Sequence, residues 1–198
     1  MRSRMTVLGC ALVLAQGCGG ADTGPAEVDL GPADLNDATI ALDSDGFGHV
    51  SGGGHYFIAG VMSQVALSGK QVSSDESATG TFHHNLELGG TIVEFFGEMT
   101  CLAIDAEEGR AWIGGVVTQN RSTREPFASG EIYQPGRDIW FRILDQGNPG
   151  TDGDRTTFTG FEGSADIITS REYCDTRPWP DENARTNPIT NGNLNIFP

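Results

Sequence analysis

The chain of 198 residues is acidic, with 12 Lys and Arg residues against 27 Asp and Glu residues and a formal net charge of −15 at pH 7. A surface of that charge repels nucleic acid and anionic lipid, so the composition excludes nucleic-acid binding and charge-driven attachment to a membrane. It is compatible with a soluble domain, with cations or with a basic partner.

The first 17 residues have the three zones of an export signal. Arg2 and Arg4 give a positive start, an uncharged apolar run covers 5–15, and Gly17 precedes Cys18. The apolar run is shorter than the roughly 20 residues that a membrane-spanning helix needs, and its position behind a basic start is typical of a signal peptide. A small residue directly before a cysteine resembles the lipobox of bacterial lipoproteins.

This resemblance implies a signal peptide at residues 1–17 and a lipid on Cys18. A diacylglyceryl group on the thiol and an acyl chain on the new N-terminus would together supply the two or more chains that stable membrane attachment requires. No aspartate follows Cys18 directly, so the analogy with sorting in enteric bacteria favours the outer membrane, at its periplasmic face or at the cell surface. An ordinary secretory signal with Cys18 merely nearby is the alternative.

Residues 18–48 are predicted to form an acidic, flexible tether. From position 21 to position 48 the chain has seven Asp and Glu residues, two prolines and no Lys or Arg. Low hydrophobicity with charge of one sign cannot bury enough apolar surface to offset the entropy of ordering. We therefore expect the folded domain at 49–198.

Residues 49–198 have the pattern of an all-β domain. Short segments that alternate polar and apolar residues, or run apolar, lie between turn signals, and long helix-periodic runs are absent from this sequence. We predict strands near 56–61, 64–72, 80–88, 91–105, 110–118, 130–134, 138–144, 156–168 and 194–197. Gly89-Gly90 and residues 106–109 indicate hairpin turns, and 170–190 is predicted to be irregular.

Many short strands separated by turns indicate a single antiparallel β-barrel or β-sandwich of about eight or nine strands. The barrel is slightly favoured, because glycines inside strand patterns mark the sharp bends of barrels. These glycines are Gly97, Gly114, Gly115 and Gly160.

Five short motifs follow one another between residues 49 and 197. They are a triple-glycine start at Gly52-Gly53-Gly54, a Gly97-x-x-Thr-Cys-Leu strand, an Ala111-x-Ile-Gly-Gly-Val-Val strand, an Asp145-x-Gly-x-Pro-Gly turn and a final Gly192-Asn-Leu-x-Ile strand. In this order they resemble a family of uncharacterised bacterial secreted and lipoprotein β-domains. The resemblance implies an extracytoplasmic all-β module and no particular chemistry.

The cysteines predict one disulfide. Cys10 leaves with the signal peptide and Cys18 is lipidated, so Cys101 and Cys174 remain. Two thiols in an oxidising compartment are expected to pair. The alternative is two free cysteines, one buried in a strand and one in a loop.

The acidic turn at 145–154 is a candidate calcium site. Its carboxylates, Asp145, Asp152 and Asp154, lie on backbone bent by glycine and proline, and calcium takes several oxygen ligands on a sharply turning backbone. No bidentate glutamate stands at the spacing of a calcium loop, however. The favoured interpretation is a plain turn whose aspartates cap free amides, and no other cofactor is predicted.

Two further places in the sequence are candidate sites. His83 shares a strand face with Asn85 and Glu87, and with His55 it could hold zinc, although exposed strand histidines without metal are favoured. Trp179, between two prolines, is a candidate for stacking on a sugar or a peptide.

The sequence has no recognisable catalytic motif: neither a nucleophile elbow, a metalloprotease helix, a phosphate loop nor a dinucleotide fingerprint occurs. Glu94 and Glu98 would lie about 13 Å apart on one strand, too far for a glycosidase pair. The favoured function is a membrane-anchored extracytoplasmic lipoprotein whose non-catalytic β-module binds a protein or glycan partner or has a structural role. The alternative is a small-ligand-binding barrel or an enzyme with its site inside the barrel, which would require a polar interior.

Overall fold

The computed structural model describes residues 47–147, 153–164, 166–180, 183 and 185–198. The predicted signal peptide, Cys18 and all but the last two residues of the predicted tether lie outside these residues, and so does Asp152. Among the helices of the described part, none is long and apolar enough to cross a membrane.

The described residues form nine β-strands, one short α-helix and one turn of 3₁₀ helix. In chain order these are β1 (His49–Ile58), β2 (Val61–Gln71), β3 (Ala78–Leu88), β4 (Thr91–Asp105), β5 (Arg110–Asn120), the 3₁₀ helix (Glu131–Tyr133), β6 (Asp138–Leu144), β7 (Arg155–Thr156), β8 (Gly160–Phe161), α1 (Ser170–Thr176) and β9 (Asn187–Phe197).

Eight of these strands close into one antiparallel barrel. Each strand from β1 to β6 pairs with the next, β7 connects β6 to β9, and β9 pairs with β1 to complete the ring. The short strand β8 adds to β6 beside β7. The structure thus confirms the single antiparallel barrel of eight or nine strands that the sequence predicts.

Alternation along the strands places one face of each in the barrel interior. In β2, for example, Ser63, Val65 and Leu67 are buried, while the residues between them are accessible to solvent. The interior core contains Phe95, Phe141 and Leu194, each at most 1% exposed. Burial of such a side chain stabilises the folded state by about 1.5–3 kcal/mol, so the interior is the main source of stability.

Gly97 shows why glycine occurs inside a strand of this barrel. The ring of Phe82 packs directly over it, and a Cβ placed at Gly97 would lie 2.2 Å from Cζ of that ring. Only a residue without a side chain leaves room for the aromatic ring, which itself packs edge-on to Phe141 at a centroid distance of 5.2 Å.

A second, smaller core lies outside the barrel wall. Residues two positions apart on a regular strand face the same side. A register shift between Met99 and Cys101 instead turns Met99 toward the interior and Cys101 outward. The outward residues of β4, β5 and β6 pack there against α1. The cluster contains Cys101, Ala103, Trp112, Trp140, Ile167, Tyr173 and Cys174.

Four of the predicted elements differ from the structure. The strand predicted at 56–61 contains the turn at Ala59-Gly60, where β1 ends and β2 begins. The predicted strand at Gly130–Gln134 is a 3₁₀ helix over Glu131–Tyr133, and the predicted strand at 156–168 is reduced to the two-residue strands β7 and β8. The predicted irregular region at 170–190 contains α1 and the first residues of β9.

Helix α1 is capped at its N-terminus by hydrogen bonds between side chains and backbone amides. Thr169 accepts a hydrogen bond from the amide of Glu172 at 3.1 Å, and the carboxylate of Glu172 accepts from the amide of Ile168 at 2.9 Å. This exchange resembles a capping box. A cap and packing on the barrel together stabilise a helix of seven residues that would not persist alone.

Candidate functional site

The barrel interior holds one buried imidazole. His84 is fully buried, and its Nδ1 lies 3.3 Å from the hydroxyl of Tyr56, which is also fully buried. Around the imidazole stand the rings of Phe82, Phe141 and Phe158, with centroid distances of 6.3, 4.5 and 6.2 Å. Within the described residues Nε2 of His84 has no hydrogen-bond partner.

This environment keeps the imidazole of His84 neutral. Burial, assisted by the neighbouring His83, lowers the pKa of His84 to about 3. Burial also raises the pKa of the Tyr56 phenol above its ordinary value. The neutral imidazole and the neutral phenol thus form one polar contact among aromatic rings.

The described carboxylates of the predicted calcium turn accept hydrogen bonds from backbone amides of the barrel wall and the turn. Oδ2 of Asp145 accepts the amide of Ile196 at 3.0 Å, and Asp154 accepts the amide of Leu194 at 2.6 Å and that of Gln146 at 3.1 Å. The described carboxylates therefore cap amides, as the favoured interpretation of this turn states. Asp152, the third predicted ligand, lies outside the described residues.

Asp154 is the more buried of these two carboxylates, at 2% exposure. Its burial raises the pKa of the carboxyl, while the hydrogen bonds from Leu194 and Gln146 act in the opposite direction and leave a net increase. Among the described residues, no group of three or more His, Cys, Asp or Glu side chains is arranged to hold a metal ion.

Cys101 and Cys174 form a disulfide that joins β4 to α1. The two residues are 73 positions apart in the sequence, and both sulfurs lie in the small outer core. Next to the disulfide, Asp138 accepts hydrogen bonds from the amide of Ser170 at 2.7 Å and from its hydroxyl at 2.5 Å. The disulfide and this carboxylate together fix α1 on the outside of the barrel.

Trp179 is held by its surroundings on two sides. Its carbonyl oxygen accepts hydrogen bonds from the guanidinium groups of Arg110 and Arg142. The guanidinium of Arg185 lies over its ring at 4.4 Å from the centroid, a cation–π arrangement. Trp179 packs against the outer core, so the structure gives the ring a packing role, and a ligand would have to replace Arg185 to stack on that face.

The predicted histidine group lies on the outer surface of the barrel but does not converge on one point. His83 faces outward, where its Nε2 lies 3.0 Å from Oε1 of Glu94 and its ring stacks on Phe96 at a centroid distance of 4.3 Å. His55 is also on the outer surface, and its Nε2 lies 2.9 Å from Nε2 of Gln64. The two histidines therefore contact different partners and do not converge on one site.

A shallow groove lies between the β2–β3 connection and α1. Its lining is Ser74, Asp75, Glu76, Arg171, Asp175 and Arg177. Arg171 pairs with Asp175 at 2.8 Å and Arg177 pairs with Glu76, so its charges are largely neutralised by one another. Hydrogen bonds from Ser73 and Ser77 lower the pKa of Asp75 to about 2.

Sequence reasoning missed the buried position of His84 and the outward row of polar side chains on β1, β2 and β3. The signal for both was present in β3, where Phe82, His84 and Leu86 alternate with Thr81, His83 and Asn85. The alternation predicts opposite faces, and the apolar Phe82 and Leu86 indicate that the face of His84 is the internal one.

The fold and these sites define a closed antiparallel β-barrel with a disulfide-fixed external helix and an interior packed by aromatic and aliphatic residues. Compared with family models, with curated proteins and with solved structures, the chain matches none of them.

Proposed function

We propose that this protein is a membrane-anchored envelope lipoprotein whose barrel is a non-catalytic module that meets its partner through its outer surface. The anchor is the lipid on Cys18, and the location is the outer membrane, at its periplasmic face or at the cell surface. The support for the anchor is in the sequence: a basic start, a short apolar run and a cysteine directly after Gly17.

The observation that supports a non-catalytic module is the content of the barrel interior. Inward-facing Phe95, Ile113, Ile143 and Leu194 are completely buried and belong to one continuous hydrophobic core. Small-ligand sites instead combine a cavity with several converging polar groups. An interior filled by its own side chains supports contact with a partner at the outer wall.

The alternative is a barrel that binds a small ligand or performs catalysis inside. It is favoured by one observation, the buried pair of His84 and Tyr56 with the second imidazole nitrogen unpartnered in the described residues. An apolar dye that fluoresces on entering protein cavities distinguishes the two functions. The packed-module account expects no saturable signal from the folded chain, and the alternative expects one that the substitution His84→Phe removes.

Membrane fractionation tests the anchor. The full chain is expected in the membrane fraction and in the detergent phase after phase separation, because more than one lipid chain holds it there. The variant Cys18→Ala is expected in the soluble fraction or as an unprocessed precursor. Cys10→Ala is the matched control and should behave as the wild type. Detergent-phase partitioning that is unchanged in Cys18→Ala would refute the anchor.

A further inference from the structure

The central part of the outer face of β9, β1, β2 and β3 lacks charged side chains, whereas Lys70 on β2 and Glu87 on β3 lie at its two ends. The outward positions of this central part are the first, third and fifth residues of the segments 51–55, 64–68, 81–85 and 191–195, and none of the twelve is Asp, Glu, Lys or Arg. Each of them is partly or fully exposed. We call this surface the neutral face.

A row of planar polar side chains crosses the neutral face. His55 pairs in register with Gln64, and Gln64 pairs with Asn85. Their side chains are held by neighbours: Gln64 contacts His55 at 2.9 Å, and Asn85 donates to Glu94, at the border of the face, at 3.5 Å. Side chains that are already ordered lose less conformational entropy when a partner binds.

The spacing of this row suits a sugar chain. Neighbouring strands lie about 4.8 Å apart, which is close to the length of one pyranose unit in an extended polysaccharide. Amide and imidazole groups each retain donor and acceptor capacity beyond the contacts above. Successive side chains of the row can therefore meet the hydroxyl groups of successive sugar rings.

An exposed apolar pair adjoins the row. Phe57 and Met62 are partners in register and are 47% and 52% exposed. Phe57 follows His55 by two residues and Met62 precedes Gln64 by two residues, so both side chains are on the same face as the row. A sugar ring has an apolar C–H face and a rim of hydroxyls, and an aromatic ring beside polar side chains matches both.

We propose that the neutral face, together with Phe57 and Met62, binds a neutral glycan. A sugar ring packs on Phe57, and its hydroxyls and those of the next units hydrogen-bond to His55, Gln64 and Asn85. The glycan is uncharged because the row offers no cation to an acidic sugar and ends at the carboxylate of Glu94, and because the net charge of −15 repels anionic polymers. This inference rests on the proposed function, since it names the partner of the outer wall.

Sedimentation with insoluble polysaccharides tests the site. The detergent-solubilised full chain is mixed with cellulose, chitin or starch as neutral polymers, and with an insoluble carboxymethyl-cellulose resin, which stays ionised at neutral pH, as the anionic control. We expect retention on at least one neutral polymer and none on this resin. The double variant Gln64→Ala/Asn85→Ala and the single variant Phe57→Ala should each weaken that retention by about tenfold or more, because they remove hydrogen bonds or the apolar contact.

Gln119→Ala is the matched control, because Gln119 is an exposed amide on β5 outside the neutral face, and its retention should equal that of the wild type. Unchanged circular dichroism shows that each variant is folded. Retention on none of the neutral polymers, equal retention of all variants, or a dimer that Phe57→Ala converts to a monomer would each overturn the proposal. The assay needs no membrane, so its failure leaves the anchor intact, and loss of the anchor leaves glycan binding measurable.

Discussion

The main-chain amide of Leu194 donates a hydrogen bond of 2.6 Å to Oδ2 of Asp154. The carbonyl oxygen of the same aspartate accepts the amide of Ile189 at 2.7 Å, so Asp154 contacts β9 on both sides of residues 190–193. Strand β7 pairs with β9 at only two positions. The side chain of Asp154 therefore supplies an acceptor where β9 has no strand partner on that side.

The first prediction concerns this closure of the barrel. Asp154→Ala should lower the free energy of unfolding by about 2–3 kcal/mol, because the buried amide of Leu194 loses a charged acceptor. Urea unfolding measures the change. Asp105→Ala is the control: Asp105 accepts one exposed amide, that of Glu108 at 3.2 Å, and its loss should cost less than about 1 kcal/mol. Equal effects of the two substitutions would contradict the assigned role of Asp154.

The second prediction is a pH dependence caused by His84. Its folded-state pKa of about 3 lies below the ordinary value of 6.5, so the unfolded chain binds a proton that the folded chain does not. Its contribution to stability is therefore complete above about pH 6.5 and is lost as the pH falls toward 3, at up to about 1.4 kcal/mol per pH unit.

Unfolding experiments between pH 7 and pH 4 measure this contribution of His84. The variant His84→Leu should lack this contribution, whatever its stability at pH 7. The control His83→Gln, which is altered on the outer face, should retain the wild-type dependence of the free energy of unfolding on pH. A wild-type slope in His84→Leu would show that the imidazole is not the group responsible.

The third prediction concerns the disulfide. Replacing both cysteines, as in Cys101→Ala/Cys174→Ala, should lower the free energy of unfolding by about 4 kcal/mol, from the chain entropy of a closed loop of 73 residues. The amides of α1 should exchange with solvent faster, while those of β1 to β3 remain protected. Two reactive thiols in denatured, non-reduced protein purified from its own envelope would contradict the disulfide itself.

Much of the fold could be predicted from the sequence because strand periodicity and turn chemistry are local. The ranges predicted for β4 and β6, 91–105 and 138–144, are the observed ones. The 3₁₀ helix could not be predicted in this way, since Glu131, Ile132 and Tyr133 have strand-like composition. Their conformation depends on distant contacts, among them the ring of Tyr133 against that of Phe161 at 4.8 Å.

The candidate site was less predictable from the sequence, because it depends on which strands lie next to one another in the closed barrel. The adjacent pair His83 and His84 predicts two opposite faces, and the closed ring of strands shows that His84 is the internal one. The outward row on β1, β2 and β3 likewise depends on strand register, which places Gln64 opposite both His55 and Asn85. Register between strands is a long-range property and is not encoded in any single segment.

The fourth prediction concerns calcium at the acidic turn. Both oxygens of Asp154 already accept backbone amides, and Asp145 accepts the amides of Gly147 and Ile196 at 3.0 Å each. We therefore expect calcium and magnesium at equal concentration to shift the melting temperature equally, as screening of an acidic chain requires. A larger shift with calcium, abolished by Asp152→Asn, would show a specific site.

The central claim is that a lipid on Cys18 attaches this barrel to a membrane. Mass spectrometry of the N-terminal peptide from protein purified out of its own envelope tests it most directly. We predict a chain that begins at Cys18 and carries a diacylglyceryl group on the thiol and an acyl chain on the amino group. A chain that begins elsewhere, or that has an unmodified thiol at Cys18, would contradict the account.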